Sequence, residues 1–200
     1  MTVINRFQVK GDSERFVRKF RAHSQYLRTR PDFDFLVTVQ LVESPQVFVN
    51  LGHWRTVRGF LRTVHDDTFQ AHVRQLGPMI DTEADQALSV ARVIKENAIV
   101  GAENVVLTRA RPHRDPHGFE GRFAELNGHF ARLGGFGGSD LLRSTLHPDT
   151  YIGIQWWHDT EVCDRALDNG PGRALADLMA RNADVFVERG RHLAYERVLS

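Results

Sequence analysis

The feature that most constrains this chain is an internal repeat. When Trp54 is laid on Trp157, an offset of 103 residues, Val3 meets Val106, Arg6 meets Arg109 and Asp12 meets Asp115 without a gap. Phe16, Phe20 and Phe33 then fall on Phe119, Phe123 and Phe136, and Pro45 falls on Pro148. Ala-Arg-Val at 91–93 fits Glu-Arg-Val at 196–198 with an offset of 105, so about two residues were inserted in the second copy. Self-similarity along a whole unit means that one supersecondary pattern occurs twice. The expected division is repeat one over 1–98, a linker over 99–103 and repeat two over 104–200.

Each copy reads β-α-β-β-α-β. In the first, 3–9 alternates as a short strand. Asp12 or Ser13 can cap a helix running to about residue 30, ahead of Pro31. Its apolar stripe is Phe16, Phe20, His23 and Leu27, spaced four, three and four. Residues 33–42 and 47–54 are rich in β-branched and aromatic side chains and are joined by a turn at Ser44-Pro45. A broken helix is expected over 57–65 and 68–80, with Asp66 and Asp67 at the break, and a last strand over 88–94. This order is the ferredoxin-like split βαβ unit, an antiparallel sheet with two helices on one face. The bare sheet face needs cover, and a second copy on the same chain can supply it. The expected fold is therefore α+β, two tandem ferredoxin-like repeats in a single-chain pseudo-dimer of the dimeric α/β-barrel kind.

Composition removes several function classes. Formal net charge is +1, so no basic surface for nucleic acid is expected. The single cysteine, Cys163, permits no internal disulfide and no cysteine metal cluster, and it is expected to be inert. The ten histidines show no metal-ligand spacing, and no metal site is expected. No signal-like or membrane-length apolar run is present, which makes a cytoplasmic protein with no membrane association the expectation.

Strand 47–54 carries the chemistry. With period-two alternation, Phe48, Asn50, Gly52 and Trp54 share one face, while Val47, Val49, Leu51 and His53 share the other and suit packing against the second copy. A carboxamide, a glycine and an indole on one face are unusual for plain helix-on-sheet packing. The glycine removes a side chain where the core would otherwise be filled, so the pattern reads either as an apolar pocket with hydrogen-bond donors or as a core Trp beside a satisfied Asn. His23, at a stripe position that is Leu126 in the other copy, is a candidate base near its ordinary pKa.

Three stretches, Val3-Ile-Asn-Arg-Phe, Phe-Val-Asn-Leu-Gly-His-Trp at 48–54 and His-Asp-Asp-Thr-Phe-Gln-Ala-His-Val-Arg at 65–74, resemble the antibiotic biosynthesis monooxygenase family. The first copy matches along most of its length and the second more weakly. The resemblance implies oxidation of a phenolic or anthrone-type polyketide to a quinone with O2 and no metal or flavin. It places the site in a cavity between sheet and helices and implies catalytic roles for Asn50, Trp54 and Arg74. Phe48, Phe60, His72, His23 and Asn5 are the expected substrate-binding residues; Phe60 stands where some members carry a Tyr, and Asn5 where haem-degrading relatives of this fold carry a functional Asn. On a helical wheel, Arg74 points away from the stripe Phe69, Val73, Leu76, Ile80 and His72 lies nearer its edge, so the proton-handling group stays open among Arg74, His72 and His23.

Gly153 stands at the position of Asn50, and Asp177 or Met179 at that of Arg74, so one working site, in repeat one, is expected. The partners implied are a small aromatic polyketide and O2, with the internal pseudo-dimer free to pair further as a homodimer. Two other readings remain: an aromatic polyketide cyclase, or a non-catalytic binding or accessory protein of the same fold.

Overall fold

The computed structural model describes residues 1–97 and 99–197, with the backbone alone at 196 and 197. The residue-98 end of repeat one and the last three residues of repeat two lie outside the described residues. Element order is β1 (Thr2–Val9), α1 (Ser13–Leu27), β2 (Phe33–Leu41), β3 (Val47–Trp54), α2 (Val57–Val64), α3 (Asp67–Leu76) and β4 (Ile80–Ile94). The second half repeats it with β5 (Val105–Pro112), α4 (Pro116–Arg132), β6 (Phe136–Ser144), β7 (Tyr151–Trp157), α5 (Thr160–Asp168), α6 (Gly170–Asn182) and β8 (Ala183–Arg197). These are two ferredoxin-like βαββαβ repeats in tandem.

Capping punctuates both copies at equivalent positions. Asp12 accepts from the Arg15 N–H at 3.0 Å, and Asp115 accepts from the Gly118 N–H at 2.8 Å. Asp66 caps α3, and Asn169, 103 residues on, caps α6. Such caps contribute about 1 kcal/mol each. α1 stops at Leu27, earlier than the sequence suggests, because the Thr29 and Arg30 N–H groups turn back to Tyr26 and Leu27 carbonyls. α3 ends at Leu76, before Pro78. β4 begins at Ile80, eight residues ahead of the expected 88, through a polar stretch without apolar alternation.

The chain forms two compact units that do not divide at the 99–103 linker. The first holds Met1–Gln86 and the described residues from Leu193 onward; the second holds Ala87–His192. In the first unit, β3 pairs antiparallel with β1 on one side and β2 on the other. In the second, β7 lies between β5 and β6, β8 pairs with β5, and the Ala87–Ile94 part of β4 pairs with β6. The last strand of repeat one thus extends the sheet of the second unit. Gly134 and Gly135 have positive φ of 76° and 69° after α4, and Gly137 and Gly138 belong to β6.

Each unit has its own aromatic core between sheet and helices. In the first, Phe16 and Phe20 of α1 pack on Phe7 and Phe48, with ring centroids 5.0–5.7 Å apart. In the second, Phe119, Phe123 and Phe130 take the same places with Tyr151 and Trp157. Among the described residues no helix is long and apolar enough to cross a membrane.

Candidate functional site

β3 positions the central residues of the first unit. Phe48 meets Phe16 of α1, so the alternating set Phe48, Asn50, Gly52, Trp54 faces the helices. Side chains opposite one another on antiparallel strands share a face, which gives three parallel rows there. Phe7 lies beside Phe48, Asn5 and Thr38 flank Asn50, and Val3 and Leu36 flank Gly52. The middle row is polar inside an apolar wall. Asn50 is 4% exposed, and its Oδ1 accepts from the Thr38 hydroxyl at 3.3 Å, which leaves the amide NH2 as the donor end. Thr38 was not singled out in the sequence; its place opposite Asn50 becomes visible only with the register.

The indole of Trp54 is buried, edge-on to Phe33 at 5.2 Å and to Phe60 at 5.7 Å. It leans back along the strand, since a Cβ added at Gly52 would lie 3.8 Å from Trp54 Nε1 and 3.9 Å from Leu36 Cδ1 and the Val3 carbonyl. Those are ordinary van der Waals distances. A methyl group would fit at residue 52, and its absence leaves a methyl-sized space between the Asn50 row and the indole N–H.

Above this face sit two histidines. His23 of α1 is 8% exposed and packs edge-on against Phe69 at 5.1 Å and His72 at 5.5 Å, both on α3. The Nδ1 atoms of His23 and His72 are both buried without a hydrogen-bond partner among the described residues. Burial, and secondarily the neighbouring His72, pushes the His23 pKa from 6.5 down to about 4. The sequence-based expectation of an ordinary pKa is thereby corrected: at neutral pH His23 is an uncharged imidazole. On the outer side of His72, the Tyr26 ring stands edge-on at 5.5 Å, and its hydroxyl donates to Asp66 at 2.7 Å. Burial and that bond push the phenol up to about 12.

The structure puts Asn50, Trp54, Phe48 and Asn5 on one sheet face, sets Phe60 of α2 against Trp54, and pairs His23 with His72. It does not bring Arg74 to them. Arg74 is exposed in the last turn of α3, about 160° around the helix from the buried Leu76, whereas His72 lies about 40° from it.

In the second unit the equivalent space is filled. Gly153, at the position of Asn50, has the Phe123 ring against it: an added Cβ would fall 2.9 Å from Phe123 Cε2. Gln155, at the position of Gly52, is buried and donates to Asn127 Oδ1 at 2.5 Å. The Asp66 and Asn169 caps fix the helix register, which sets Leu126 and Leu175 at the positions of His23 and His72. Trp157 is retained, but its Nε1 is buried without a partner among the described residues. Cys163 is buried and its thiol is pushed up to about 12, chiefly by burial.

No family model and no curated protein matches the chain. Solved structures do. A candidate monooxygenase from Lactobacillus acidophilus NCFM aligns over 100% of this chain and 98% of its own, with TM-score 0.73 at 9% identity. Another, from Fusobacterium nucleatum subsp. nucleatum, aligns over 98% and 94% with TM-score 0.75 at 7% identity. An anthrone oxidase-like protein aligns over 100% and 94% with TM-score 0.68 at 11% identity. This chain has their fold. The match runs through both repeats of that fold, and proteins of the kind that the sequence resemblance implies are found among those that share it.

Proposed function

We propose that the protein is a cofactor-independent monooxygenase that converts a polycyclic phenol or anthrone-type polyketide to a quinone with O2. The observation that carries this reading is the polar row Asn5–Asn50–Thr38, with Asn50 and Thr38 buried, set beside Gly52 and under the Trp54 N–H in an otherwise apolar wall. A flat fused-ring substrate fits such a wall by stacking, and its oxygens need a few fixed donors.

The reaction is balanced as anthrone plus O2 giving quinone plus water. A methylene C–H of the substrate loses its proton, and the electron pair stays on the ring system as an enolate. This electron-rich anion reduces O2, a carbon–oxygen bond forms, and loss of water leaves the new carbonyl. The protein's part is to orient the substrate, stabilise the enolate oxygen and exclude bulk water. Asn50 and the Trp54 N–H are the donors to the substrate oxygens, Phe48 and Phe60 form the wall, and Asn5 borders the polar row. Arg74, exposed, is left out of this set.

The test is oxygen consumption with 1,8-dihydroxyanthrone by metal-stripped, flavin-free protein, with quinone absorbance followed in parallel. Uptake matched to quinone and lost in Asn50→Ala supports the reading. Ring closure of a poly-β-ketone without oxygen uptake supports a cyclase instead, and binding without turnover of either supports an accessory protein.

A further inference from the structure

The two imidazoles are the feature of the site that neither the sheet nor the family resemblance explains. They occupy positions that repeat two fills with Leu126 and Leu175, so packing alone does not call for imidazoles there. Each carries a buried Nδ1 with no hydrogen-bond partner among the described residues, a condition that is costly unless something relieves it. The rings meet edge to face with centroids 5.5 Å apart, and they form a gradient of exposure, with His23 buried and His72 half-buried.

Their place along the sheet is set by connectivity. α1 returns antiparallel to β1 and so runs in the direction of β3, with Phe16 on Phe48. Seven residues of helix advance about 10 Å and two residues of strand about 7 Å, which sets His23 near the Asn50–Gly52 level. The face that carries the polar row and Gly52 therefore lies beneath the buried imidazole. The charged and titratable groups around the pair are Tyr26 and Arg30 from the α1 end and Asp66 at the α3 cap; Tyr26 and Arg30 both engage Asp66.

Resting on the monooxygenase reading, we propose that His23 and His72 are the proton-transfer pair of the site, His23 taking the substrate's methylene proton and His72 carrying it outward. In that step the substrate C–H bond breaks, an N–H bond forms on His23, and the electron pair remains on the substrate as the enolate. The proton then passes to His72, and from His72 to solvent. Neutral His23 is in the accepting form at physiological pH.

The proton step is separable from oxidation. Under strictly anaerobic conditions in D2O, the methylene protons of 1,8-dihydroxyanthrone are followed by NMR with wild-type protein, His23→Leu and His72→Leu, each variant carrying the residue that repeat two itself uses. Wild-type protein is expected to accelerate deuterium exchange, His23→Leu to lose at least about 100-fold of it, the scale of general-base catalysis, and His72→Leu about 10-fold with kcat falling more than KM. Added imidazole is expected to restore exchange in His23→Gly. Exchange without oxygen uptake would sustain the pair and sink the monooxygenase. Oxygen uptake with exchange unchanged in both folded variants, or no exchange by wild-type protein, would overturn the pair.

Discussion

A buried imidazole held neutral makes the first unit sensitive to acid, and the size of the effect follows from the structure. The folded-state pKa of His23 lies near 4 against 6.5 in an unfolded chain, so the unfolded state binds the proton first as pH falls. Its contribution is complete above pH 6.5 and is lost as pH falls toward 4. For these two values the loss is about 2 kcal/mol at pH 5 and about 3 kcal/mol at pH 4. His23→Leu removes the titration while keeping an apolar group of similar size. Urea unfolding of both proteins at pH 7.5 and 5.0 isolates this contribution, because other titrating groups largely cancel in the difference. Wild-type protein is expected to lose about 2 kcal/mol relative to the variant, a midpoint shift on the order of 1 M urea. A stability difference that stays constant to within about 0.5 kcal/mol between the two pH values would refute the burial argument.

Other substitutions separate the roles assigned here. Asn50→Ala deletes a buried donor held by Thr38; oxygen uptake is expected to fall at least 100-fold while urea stability falls by only about 1 kcal/mol. Gly52→Ala places a methyl group at ordinary contact distance and is expected to leave the thermal midpoint within a few degrees of wild type by calorimetry. Gln155→Leu strands Asn127 in the second unit and is expected to cost about 1–3 kcal/mol in denaturant unfolding, with turnover per folded chain unchanged. Arg74→Gln is expected to keep kcat/KM within about twofold, and a loss of tenfold or more would show that this exposed side chain reaches the substrate.

Much of the architecture was legible because two copies of one pattern corroborate each other. Phe16, Phe20 and Phe33 meet Phe119, Phe123 and Phe136 in sequence, and the structure gives each trio the same place in its own core. Caps were readable because Asp12 and Asp66 are short acceptors just ahead of apolar periodicity. The start of β4 was not readable: residues 80–87 carry Asp81, Glu83 and Asp85 without apolar alternation, and strand pairing rather than propensity makes them extended. The crossing of β4 into the second unit was equally hidden, since a strand's partner is not written in its own alternation.

The site divides in the same way. Asn50 and Trp54 stood out because a carboxamide and an indole share a strand face with a glycine; of the wheel's stripe, Val73 is exposed and Ile80 belongs to β4. Thr38 needed the register, and the pairing of His23 with His72 needed the packing of α1 on α3. The closure of the second unit was half visible. Gly153 at the position of Asn50 announced a loss, but that Gln155 and Asn127 fill the space emerges only from their mutual hydrogen bond. A parallel bond in the first unit, Tyr26 to Asp66, has its counterpart in His129 to Asn169 at 2.8 Å, so a latch between helices survived where the site itself diverged.

The proposed function places one site in repeat one, and repeat two closes the equivalent space with its own side chains. It is tested most directly by calorimetric titration with 1,8-dihydroxyanthraquinone, the product of the proposed reaction, against wild-type protein and against Gly52→Gln/Ser24→Asn, which copies the Gln155–Asn127 pair into repeat one. The account expects one quinone per wild-type chain and none per chain of the folded double variant. Two quinones per chain, or binding that survives the double substitution, would contradict it.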